Sequence, residues 1–130
     1  MIEIYICIYK EIGNLKLEKI KKKLEELNIK VYYGSAEKSS KDLKEYIVFG
    51  RDKIKLNDSK MSTTDYYDVV IVVEGWIAEG FVDEVIEALS EIGIKKSKED
   101  IDFKYLVRND ISYEIASVKF FDTVGRTRWR

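Results

Sequence analysis

The chain has 130 residues, no histidine and a single cysteine, Cys7. That inventory removes the usual general base, every Ser/His or Cys/His nucleophile pair and the ordinary zinc site. Carboxylates, lysines and tyrosines are what remains for chemistry. Asp100 and Asp102 stand two apart, a spacing that puts both on one face of a strand. A magnesium-dependent nuclease would add a third acid and a lysine in a buried pocket. No spacing here marks one, so the pair reads as solvated. Gly50, Gly75 and Gly80 fit no phosphate-cradling pattern. Tyr32-Tyr33 and Tyr66-Tyr67 offer rings on which bases could stack, yet adjacent tyrosines on a strand ordinarily divide into one core and one surface residue. Lys21 to Lys23 sit among Glu25 and Glu26 and read as a solvated helix face. Trp76 and Trp129 are more telling. Trp76 falls at a strand-to-helix corner, and Trp129 lies in a basic tail with Arg126, Arg128 and Arg130. Trp and Arg are enriched where interfaces carry their energy. These residues therefore point to recognition of another surface, against the plainer reading of a terminus that is simply held in place.

The elements that must position them centre on residues 66–93. Tyr67 and Val69 to Val73 form a β-branched and aromatic run that predicts a buried strand. Phe81, Val82, Val85, Ile86, Leu89 and Ile92 then recur at helical spacing, with acids on the other side and Gly93 placed for a left-handed cap. Met1 to Tyr9 alternates with period two and predicts a strand, its rival being a helix ending near Gly13. Asn14 is placed to cap a helix whose stripe is Leu17, Ile20, Leu24 and Leu27, running to about Asn28. Ile29 to Tyr33 and Glu45 to Arg51 predict strands separated by a polar loop from Ser35 to Lys44. Asp52 to Asp65 is the longest polar stretch and predicts a loop, with Ile54 and Leu56 extending the strand only briefly. Long loops in compact domains are often contact segments, so Asn57, Asp58, Lys60 and Met61 join Trp76 and the tail as candidate interface residues. Ile94 to Asp100 reads as a charged turn and Ile101 to Arg108 as a half-buried strand. Asn109-Asp110 turns into a final strand from Ile111, whose change of apolar phase predicts a bulge near Ile115 and Ala116. The whole predicts one α+β domain over residues 1–130: a mostly antiparallel sheet with two amphipathic helices packed on one face, and a basic tail at 125–130.

Charged residues make up 36% of the chain, yet the net charge is −1, so no global field favours nucleic acid or a membrane. The signs are unevenly placed. Residues 66–104 hold ten acids against four lysines, whereas the last twelve residues hold Lys119 and three arginines against Asp122. In a ring or stack, such a tail can lie on the acidic helix of the next copy and set the register of the contact. The lone cysteine excludes an intramolecular disulfide and suits a reducing compartment. The first residues carry no basic leader, and their apolar run is too short to span a bilayer, so a cytoplasmic protein is expected.

The succession of "VYYG" at 31–34, "EYIVFGR" at 45–51, "YYDVVIVVEG" at 66–75, the helix "VDEVIEALSEIGI", then "DFKYLVRND" and "YEIASVKFF" resembles the tail-terminator, or tail-completion, proteins of long-tailed bacteriophages and phage-tail-like bacteriocins. The likeness spans roughly residues 15–121 and rests on the order of elements and a few apolar, Tyr and Gly positions. It implies a non-enzymatic α+β subunit without cofactor that forms a hexameric ring. Such a ring caps the tail tube, stops its growth and joins the tail to the neck. It would meet the tail tube protein, the sheath in contractile particles and the head connector, first in the bacterial cytoplasm and then in the particle. An N-terminal segment such as MIEIYICIY is less usual for the family, in which a helix often comes first. The alternative is a small nucleic-acid-binding or regulatory α+β module of a mobile element, which would be a monomer or dimer with salt-sensitive binding to DNA or RNA.

Overall fold

The computed structural model describes residues 16–36, 43–57 and 62–125. The expected strand over Met1 to Tyr9 and the cap at Asn14 lie outside them. Helix α1 covers residues 16–25 and is followed by β1 (Lys30–Tyr33), β2 (Glu45–Leu56) and β3 (Ser62–Glu74). Helix α2 (Phe81–Glu91) leads to β4 (Lys95–Lys96), β5 (Asp102–Arg108) and β6 (Ile111–Gly125). One sheet runs β1-β2-β3-β6, with β4 and β5 both paired to the far side of β6. Only β1–β2 is parallel. This is the mostly antiparallel α+β architecture with two helices.

Register explains the core. Directly paired residues share a face, so Val31, Ile47, Ile71 and Ala116 form one row across the sheet and Phe49, Val69 and Val118 the next. Tyr67 and Phe120 continue it. Ile20 and Leu24 of α1 and Val85 and Leu89 of α2 pack on these rows, and all of them are buried. Both helices thus cover the same face, with a Lys23 ammonium between Glu26 and Glu91 joining their ends. Those two carboxylates hold Lys23 above its ordinary pKa. Helix α2 closes as its sequence predicts. Gly93 has φ 84°, Gly93 N–H donates to Ser90 and Ile94 N–H to Leu89, and buried Ile94 folds back on the helix.

Four expectations are corrected. Residues 52–56 and 62–65 are paired strand, not loop, because Lys53 to Leu56 find partners along Thr63 to Tyr66. Ladder hydrogen bonds there do not depend on apolar side chains, and Thr63 is itself buried. The bulge lies in β2 between Arg51 and Lys53, not in β6, whose register to β3 is unbroken from Tyr113 to Gly125. The phase change in β6 has another cause: Tyr113 is buried on one face of the strand while Ala116, Val118 and Phe120 are buried on the other. Strand β5 is exposed along its length instead of half-buried, since it lies beyond the rows that the helices cover. The charged turn from Ile94 contains a short strand, Lys95–Lys96, paired to Phe120 and Phe121.

Candidate functional site

The strand-to-helix corner and the β5–β6 hairpin form one surface. Asn109 and Asp110 both take positive φ, 52° and 64°, the backbone of a two-residue hairpin turn that matches strand twist. The hairpin brings Tyr105 opposite Glu114 and Leu106 opposite Tyr113. Glu114 then ties the hairpin to the corner. Its carboxylate accepts a hydrogen bond from the Ile77 N–H at 2.8 Å and another from the Tyr105 hydroxyl, which raises the pKa of that phenol. Gly75 N–H donates to the Ser112 carbonyl beside it. Trp76 is thereby held on a fixed corner with 78% of its surface exposed, next to a strand whose Tyr105 and Val107 are each 69% exposed. Three large apolar side chains left in water on a braced scaffold are unusual for a surface that meets only solvent.

The opposite end of β3 carries a second exposed surface. Beyond Phe49, β2 pairs only with β3 among the described residues, and it carries Ile54 and Leu56 at 57% and 67% exposure. Asn57 closes this arm. Its N–H reaches the Ser62 carbonyl, its side-chain amide donates to Ser62 Oγ at 2.7 Å, and its carbonyl accepts from Thr64 Oγ1 at 3.2 Å. Asn57 therefore shapes the arm; its side-chain polar atoms are occupied within it. Two ion networks brace the same end. Lys16 reaches Asp122 and, at 4.0 Å, Asp65. Lys119 lies 2.6 Å from Asp68 and 3.6 Å from Asp52 at the bulge. Asp68 Oδ1, otherwise without a hydrogen-bond partner, and then the nearby Asp52 charge hold the Lys119 ammonium above its usual pKa.

The second face of the sheet is apolar along its middle: Tyr32 packs edge-on to Tyr46, Val48, Val70, Val72 and Ile115 lie beside them, and Tyr32, Val72 and Tyr113 are buried. Asp100 and Asp102 are exposed at the start of β5. Among the described residues no three acidic or sulfur-bearing side chains stand together at metal-ligand spacing, and no helix is long and apolar enough to cross a membrane. Of the predicted interface residues, Trp76 and Asn57 fall on the two surfaces just described, at opposite ends of β3. Asp58, Lys60, Met61, Arg126, Arg128, Trp129 and Arg130 lie outside the described residues. Tyr105, Val107, Ile54, Leu56 and Glu114 were not legible as surface residues, because alternation marks an apolar side chain without saying whether a helix covers it. No protein-family model matches the chain, and no curated protein matches it.

Proposed function

We propose that this chain is a structural subunit of a phage tail or phage-tail-like particle. It forms a ring that caps the tail tube, ends its growth and joins the tail to the neck. The observation that carries the reading is the braced, uncovered apolar surface of Trp76, Tyr105 and Val107; the likeness in element order over residues 15–121 supplies its context. The mechanism is geometric. Each subunit offers one surface to its neighbour and another to the tube, with complementary charge setting the register. No bond is made or broken.

The test is tail-tube length. Particles made with the gene deleted should show tubes of irregular, extended length without necks by electron microscopy, and adding back the purified chain should restore a uniform length. Tubes of normal length in the deletion would reject this function.

A further inference from the structure

Among the described residues β5 is an edge of the sheet: it pairs with β6 along Asp102 to Arg108 and with no other strand. Every residue of it is exposed, and Phe103, Tyr105, Leu106 and Val107 are large apolar side chains left in water. Arg108 and Ile111 flank the two-residue turn, so their N–H and C=O groups face each other across the hairpin. By alternation Asp102, Lys104 and Leu106 also address β6, while Phe103, Tyr105 and Val107 turn their main-chain groups outward. A long exposed edge of this kind is a template for another strand. Proline or a bulge commonly blunts such an edge, and β5 contains neither.

The strand DFKYLVR is self-complementary when two copies meet antiparallel about Tyr105. Asp102 then stands opposite Arg108 of the second copy, Phe103 opposite Val107, and Tyr105 opposite its own counterpart. The charged residues share one face of the sheet, and the aromatic and β-branched residues share the other. Both kinds of cross-strand pair are stabilising. Lys104 falls opposite Leu106, and it selects this register. Sliding the second copy by two residues sets Lys104 opposite Lys104 in one direction and opposite Arg108 in the other. Like charges directly opposite are destabilising. Asp100 and Asp110 lie outside the paired residues.

We infer that β5 pairs with β5 of a second copy, antiparallel and centred on Tyr105, to make a two-fold dimer with one continuous sheet. The contact is isologous: both copies use the same edge, so association stops at two. Phe103, Tyr105 and Val107 supply about six main-chain hydrogen bonds across the axis, and an Asp102–Arg108 pair flanks them on each side. The inference goes beyond the tail reading and does not rest on it.

The experiment reverses one charge at a time. Asp102→Arg sets arginine against arginine at both ends of the pairing, and Arg108→Asp sets aspartate against aspartate. Both positions are exposed, and circular dichroism checks that each variant folds. Analytical ultracentrifugation should show the unmodified chain in a monomer–dimer equilibrium. Each variant alone should associate at least roughly tenfold more weakly. Their equimolar mixture should regain dimers, because the mixed pair again sets opposite charges against each other at both ends. Hydrogen exchange locates the contact: the amides of Phe103, Tyr105 and Val107 should become protected as concentration rises. An unmodified chain that stays monomeric at millimolar concentration would leave the edge to a different strand and overturn the contact. Dimers without protection of those amides, a variant that associates as strongly as the unmodified chain, or a mixture no stronger than its components would each overturn it too. Regained dimers in the mixture together with normal tube lengths in the gene deletion would reject the tail function and leave the contact standing.

Discussion

Lys119 stands between Asp68 and Asp52 on the second face of the sheet. Its folded pKa lies above the ordinary lysine value of 10.5, first because of the Asp68 contact. A raised pKa means that the ammonium is favoured in the folded state. The stabilisation is therefore fully present below the unfolded value and disappears as pH rises through the folded one. Lys119→Gln should cost no more than about 1 kcal/mol at neutral pH, because the group is partly screened by water. The difference between variant and unmodified chain, followed by urea unfolding, should vanish in strongly alkaline solution. Glu114 acts at the same scale with a different consequence. Glu114→Ala leaves the Ile77 N–H and the Tyr105 hydroxyl without their shared acceptor and should cost about 1–2 kcal/mol. It should also quicken amide exchange at Ile77 relative to the core strands, which a purely global loss of stability would not do selectively.

At the scale of elements, the β5–β6 hairpin and the β2–β3 arm are both strand pairs that run past the helices, and each depends on its turn. Asn109 and Asp110 occupy a turn in which both central residues have positive φ. Asp110→Gly removes the side chain from a left-handed position and should stabilise the chain by up to about 1 kcal/mol, read as a higher midpoint in urea. Helix α2 makes the opposite case. Gly93→Ala forces a Cβ onto φ 84° at the helix end and should destabilise by about 1 kcal/mol, although nothing lies near enough for the new methyl group to strike.

For the whole molecule, the described residues run to Gly125 in β6, and removing Arg126 to Arg130 leaves every described element intact. The truncated chain should unfold at the same urea concentration as the full one, while particle yield falls if the basic tail is a contact segment as its Trp and Arg content suggests. Unchanged yield and tube length would remove the tail from the function. Both ends of the sheet carry exposed apolar residues, and this arrangement belongs to the assembled fold: Ile54 and Trp76 are 22 positions apart in the chain but stand near opposite ends of the long β3 axis.

The sequence by itself determined the local periods. Alternation and β-branching placed strands at 29–33, 45–51, 67–73 and 101–108, three-and-four spacing placed both helices, and Gly93 and Asn109-Asp110 marked a cap and a turn. These signals depend on neighbours a few residues away. Only the tertiary structure decided which apolar residues are covered. Phe103 shares a row with Ala116, Ile71, Ile47 and Val31, yet it lies past the helices and is exposed while the rest are buried. Pairing to β3 likewise made Lys53 to Leu56 a strand where composition favoured a loop. Burial is a property of what packs across a face, and no local pattern of residues states what that will be.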